Sequence, residues 1–90
     1  MYKLEFSKRA ERQLSKMDAH TRKIVLLWLK KHVNNCEDPR AFGKALSGNL
    51  KGMWRYRIGN YRVICEIQDE QLVVLALSLG HRREVYVKSR

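Results

Sequence analysis

The dipeptide Gly59-Asn60 separates two runs of alternating character, Trp54 to Ile58 and Tyr61 to Gln68, and fixes more of the fold than any other feature of the chain. Both residues tolerate the positive φ that two-residue hairpin loops require, so the runs read as strands joined by a tight turn. So short a loop also sets the register: Ile58 opposes Tyr61, Arg57 opposes Arg62, and Arg55 opposes Ile64. Side chains alternate between the two faces of a strand. Arg55, Arg57 and Arg62 therefore share one face, and Trp54, Tyr56, Ile58, Tyr61, Val63 and Cys65 share the other. The apolar face needs a cover. The cationic face needs an anion, because like charges opposed across a ladder destabilise it.

The remaining chain supplies the cover. Tyr2 to Phe6 alternates as a short strand does, Ser7 is placed to cap a helix, and Ala10, Leu14 and Met17 recur at helical spacing over residues 8–17. Asp18 caps a second helix over about residues 19–34, whose run from Ile24 to Leu29 is apolar on more than one side. Residues 39–52 are broken by Gly43, Gly48 and Gly52 and read as loop, with AFGKAL able to form one helical turn. Strands then follow at Met53 to Ile58, Tyr61 to Gln68 and Leu72 to Leu79, with a turn at Asp69-Glu70 and a last extended piece from Arg82 to Val87. The expected order is β-α-α-β-β-β-β. This is an α+β domain with two antiparallel helices on one side of a mostly antiparallel sheet, a single domain over residues 1–90. A chain of this length buries only about 60–65% of its unfolded surface, so the margin of stability is thin.

Lys plus Arg total 19 against 9 for Asp plus Glu, a net charge of +10, while 44% hydrophobic content is too high for a disordered basic tail. A folded cation of this kind favours polyanionic partners. The two cysteines, Cys36 and Cys65, match neither a metal-ligand spacing nor the disulfide framework of a small secreted domain. No stretch approaches the ~18 apolar residues that cross a bilayer, and MYKLEFSKR lacks an apolar signal core, so a cytoplasmic protein without a membrane partner is expected. HExxH, paired CxxC, GxGxxG and P-loop patterns are all missing from the sequence, which predicts a chain that uses neither cofactor nor metal.

Arginine forks bind phosphate oxygens bidentately, and three converging forks suit a phosphodiester and its pentacoordinate transition state. Guanidinium does not act as a base, so proton transfer must come from elsewhere. The segment GHRREVY, residues 80–86, offers His81 as general acid or base, Arg82 as a further clamp and Tyr86 as a stacking or hydroxyl group. In an extended chain Arg82, Glu84 and Tyr86 share a face, and His81 points the other way unless the chain bends at Gly80. The structural alternatives are a solvated sheet surface with Glu66 diagonal to Arg55, a surface His81 and a strand-edge Tyr86. His20 and His32 read as surface residues, and Trp28 and Trp54 as core.

The succession GNLKGMWRYRIGNYRVICEI, followed by LVVLALSLGHRREVY, closely resembles the RelE/ParE superfamily of bacterial toxin-antitoxin systems, most strongly over residues 44–86. That resemblance implies a RelE-like microbial RNase architecture and one of two activities. RelE-type members cut mRNA in the ribosomal A site, whereas ParE-type members poison DNA gyrase. The positions of Arg55, Arg57, Arg62, Arg82 and Tyr86 match the basic and aromatic pattern of the nucleases. Arg55 and Arg57 stand where lysines are frequent, and arginine, unlike lysine, keeps its proton. His81, where a lysine is common, becomes the candidate for that role, with Tyr86 as the alternative.

The expected function is thus a toxin acting as a metal-independent endoribonuclease. Arg57, Arg62 and Arg82 would grip the scissile phosphate while the 2′-hydroxyl attacks, leaving a 2′,3′-cyclic phosphate and a 5′-hydroxyl. Its partners would be mRNA, the ribosome, and a cognate antitoxin whose acidic or amphipathic segment wraps the basic face in a hetero-oligomer. A gyrase inhibitor without nuclease activity, and a silent antitoxin-binding module, are the alternatives. Replacing Arg57 or Arg62 by Ala is expected to abolish toxicity and leave the fold intact or even more stable, because each change removes like-charge repulsion.

Overall fold

The computed structural model describes residues 1–81. Strand β1 (Lys3–Phe6) is followed by helices α1 (Lys8–Lys16) and α2 (Ala19–His32), the two-residue strand β2 (Lys44–Ala45), a 3-10 turn at Gly48–Leu50, and strands β3 (Trp54–Ile58), β4 (Tyr61–Gln68) and β5 (Val73–His81). The order β-α-α-β-β-β-β holds, with one reassignment. The first strand after the helices is β2, inside the segment read as loop or helical turn, and the piece from Arg82 to Val87 lies outside the described residues.

Both helices start where their caps dictate. The Ser7 hydroxyl accepts from the Ala10 N–H, and the Asp18 carboxylate accepts from the Thr21 N–H at 3.0 Å, which holds the Asp18 carboxyl below its ordinary range. The sheet order is β1-β5-β4-β3-β2, antiparallel throughout except that β1 runs parallel to β5. Beyond Phe6 the chain leaves the sheet to enter α1, and the exposed edge of β5 must be satisfied some other way. The Ser7 hydroxyl donates to the Leu77 carbonyl (3.0 Å) and the Gln13 side chain accepts from the Leu79 N–H (2.7 Å), so α1 completes the edge that β1 abandons. The outer edge of β1 is covered by the chain after α2, through the Leu4 N–H to Asn34 side chain, Asn35 N–H to Tyr2 carbonyl and Tyr2 N–H to Cys36 carbonyl bonds.

One face of the sheet meets the helices. Ala10, Leu14, Val25, Leu29 and Val33 pack there with Tyr56, Ile58, Val63, Cys65, Val74, Ala76 and Leu79. Burial pushes the Cys65 thiol and the Tyr56 phenol upward, and the Tyr56 hydroxyl donates to the Pro39 carbonyl. Helix α2 resolves its broad apolar run unevenly: Val25 and Leu29 are buried, while Ile24 (47%) and Leu27 (56%) stay exposed. His32, expected on the surface, is half-buried between the rings of Trp28 (4.5 Å) and Phe42 (4.8 Å), because residues 39–45 fold back over the end of α2. Arg40 then clamps Asp69 with two 3.0 Å bonds while the Tyr2 hydroxyl donates to the same carboxylate at 2.7 Å. No helix among the described residues is long and apolar enough to cross a membrane.

Candidate functional site

The hairpin register is the one its turn imposes: Ile58 pairs with Tyr61, Arg57 with Arg62, Arg55 with Ile64, Tyr56 with Val63 and Trp54 with Cys65. Of the turn residues Gly59 alone has positive φ, at +59°, which is the demand of a type II′ turn and leaves Asn60 in the ordinary region. The strand pairing extends the face at both sides. Lys44 of β2 opposes Arg55, Ser78 of β5 opposes Ile64, and Gly80 opposes Arg62. Residues paired across a ladder share a face, so Lys44, Arg55, Arg57 and Arg62 form one cationic surface on the side of the sheet away from the helices.

The four cations differ in setting. Lys44 and Arg57 are exposed, Arg55 is half-buried, and Arg62 is 3% exposed beside Ile64 (3%) and Ser78 (5%). A guanidinium sunk in an apolar floor sits where charge interactions are less screened than at the rim. The Arg55 Nε and the Ser78 hydroxyl are buried and make no hydrogen bond among the described residues. Neither Arg55 nor Arg57 is matched by an acid: between described residues the one ion pair is Arg40 with Asp69, and Glu66 accepts instead from the Gln68 amide at 2.8 Å. The acidic side chains Glu66, Asp69 and Glu70 gather at the far end of β4, where Glu66 stands two residues beyond Ile64, the cross-strand partner of Arg55, without forming an ion pair with that arginine.

Burial of Arg62 corrects one expectation. Removing this side chain would empty a packed position, so its replacement tests the fold as well as the chemistry. His81 does not join the arginine face. It pairs with Tyr61, edge to face at 5.8 Å between ring centroids, and so lies on the helix side of the sheet, opposite the arginines. Arg82 and Tyr86 lie outside the described residues. Lys44 was missed because a two-residue strand carries no periodicity; the signal that precedes it is Gly43. Gly43 has φ +86°, and a Cβ there would stand 2.2 Å from the Arg55 carbonyl oxygen and 2.6 Å from the Trp54 Nε1. No three His, Cys, Asp or Glu side chains converge among the described residues in a way that would hold a metal ion.

Comparison with known proteins adds three findings. The family model described as ParE toxin of type II toxin-antitoxin system, parDE, matches residues 4–86. Toxin RelG of Mycobacterium tuberculosis is 29% identical over 85 residues, spanning 94% of this chain and 95% of that protein. Among solved structures, the toxin-antitoxin complex RelBE2 from Mycobacterium tuberculosis contains a chain similar at TM-score 0.76 and 29% identity, covering 90% of this chain and 98% of that one. The isolated Escherichia coli RelE toxin is similar at TM-score 0.73 and 27% identity, covering 99% of this chain and 95% of that one.

Proposed function

This chain belongs to the ParE toxin family of type II toxin-antitoxin systems, within the RelE/ParE superfamily, and we propose that it acts as a ribosome-dependent endoribonuclease on translated mRNA. The observation that carries the reading is the convergence of Arg55, Arg57 and Arg62 on one sheet face, with no described acid to neutralise Arg55 or Arg57. A phosphodiester laid on this face meets the exposed Arg57 at the rim, the half-buried Arg55 beside it and the buried Arg62 in the floor. Charge that builds on the phosphoryl oxygens during in-line attack by the 2′-hydroxyl is met by donors already in place, which stabilises the transition state more than the ground state.

The arginines hold and polarise; they do not move protons. Since the strand register turns His81 to the other face, Tyr86 becomes the preferred proton carrier and Arg82 the further clamp, as the family resemblance implies. The ribosome would supply the alignment of the 2′-hydroxyl with the phosphate, a contribution that in well-oriented intramolecular reactions reaches several kcal/mol, roughly 7 or more. The products are a 2′,3′-cyclic phosphate and a 5′-hydroxyl, and no metal takes part. A cognate antitoxin is the second partner, its acidic segment covering the cationic face and suppressing activity in the cytoplasm.

A gyrase-directed toxin is the second reading, favoured by the ParE description of the matching family and by arginines at positions 55 and 57 where nucleases often carry lysine. Induced expression followed by primer extension on a reporter mRNA separates the two. Codon-spaced cuts in translated message are the expected result. DNA damage with intact message would establish the gyrase reading instead, and absence of growth arrest would leave only antitoxin binding.

A further inference from the structure

Strand β2 is two residues long, yet its position is heavily determined. Gly43 lies so close to β3 that no larger residue fits, Lys44 and Ala45 pair with Arg55 and Trp54, the Leu46 N–H donates to the Met53 carbonyl at 3.1 Å, and the Trp54 indole donates to the Phe42 carbonyl at 2.7 Å. Little of this serves the core, for both strand residues are exposed and neither belongs to the buried cluster. What the arrangement does is set the Lys44 residue opposite Arg55 in the ladder, one strand spacing of about 4.8 Å further across the cationic face.

We infer that Lys44 is an RNA-phosphate contact, gripping an mRNA phosphate that neighbours the scissile one and so extending the substrate path from the arginines to the β2 edge. The inference rests on the nuclease reading above. A point charge on a flexible stem suits such a contact, because it follows a phosphate without demanding bidentate geometry, whereas the arginines fix the reacting group. The grip is equally strong in the ground and transition states. It therefore strengthens binding without accelerating the chemical step.

The test is single-turnover cleavage on mRNA-programmed ribosomes, read as the half-saturating toxin concentration and the maximal rate across a series of KCl concentrations. For Lys44→Ala the half-saturating concentration is expected to rise several-fold with the maximal rate unchanged, the slope of log affinity against log salt to fall by about 0.7, and Lys44→Arg to restore both. Methylphosphonates that neutralise the mRNA phosphates one at a time on either side of the cut identify the contact. At one position wild type should weaken to the level of Lys44→Ala, and the variant should lose nothing more. If the losses add at every position, the lysine meets ribosomal RNA and the inference is overturned. It is equally overturned if Lys44→Ala matches wild type while wild type cleaves. A wild-type chain that leaves mRNA intact overturns the nuclease reading itself, and this inference with it.

Discussion

The two faces of the β3–β4 hairpin share every backbone hydrogen bond and almost nothing else. Toward the helices, Tyr56, Val63 and Cys65 are each 0% exposed and belong to one continuous cluster. Toward the other side stand Arg55 and Arg57, unpaired by any described acid, with Lys44 alongside. Alternation of side chains allows a chain with a thin stability margin to separate its two faces by one residue, so that odd positions of β3 present cations while even positions hold the fold. Arg62 is the point where the two roles meet, because it belongs to the cationic face and is nonetheless buried.

The division makes quantitative demands. Arg57→Ala should lower mRNA cleavage by about 100- to 1,000-fold, the usual consequence of losing one preorganised donor, while circular dichroism melting shows an unchanged or slightly higher midpoint. A matching drop in melting temperature would mean that the exposed face is structural after all. Leu29→Ala, on the helix side, should cost about 2–5 kcal/mol, which at roughly 4–8 °C per kcal/mol in a domain of this size lowers the midpoint by about 10 °C or more. Its folded fraction should retain full specific activity.

Gly43→Ala sharpens the comparison from the edge. Overlap with the Arg55 carbonyl and an unfavourable φ should cost about 1–3 kcal/mol and lift β2 from β3, which amide hydrogen exchange would report as loss of protection confined to residues 44–46 and 54–55. The smallest effect concerns Asp69, whose carboxyl is held below its usual range first by the Arg40 hydrogen bonds and then by Tyr2. A depressed folded value stabilises above the unfolded pKa, near 3.9, and the benefit is lost as pH falls through the folded value. Asp69→Asn should thus melt slightly below wild type at neutral pH, and the two curves should converge below about pH 4. Persistence of the gap in acid would place the effect in packing.

The hairpin was legible because a two-residue turn leaves one register, and the caps at Ser7 and Asp18 were legible because the chemistry is local. The parallel pairing of β1 with β5 was not, since nothing near residues 3–6 encodes a partner about seventy positions away. The side of the sheet chosen by His81 follows from a register irregularity between Ile64 and Cys65, set by tertiary packing. Burial of Arg62 was also hidden, because alternation assigns a face without saying how deep it lies. His32 was misplaced for a related reason: its neighbours Trp28 and Phe42 come together only when the loop after α2 closes.

The parallel ladder between β1 and β5 has a bearing on the order of folding. Lys3 through Phe6 cannot pair with Val73 through Ala76 until about seventy residues have closed into a loop, whereas the arginine hairpin closes from local sequence alone. The arginine ribbon is therefore expected to form before the helices have a finished sheet to rest on.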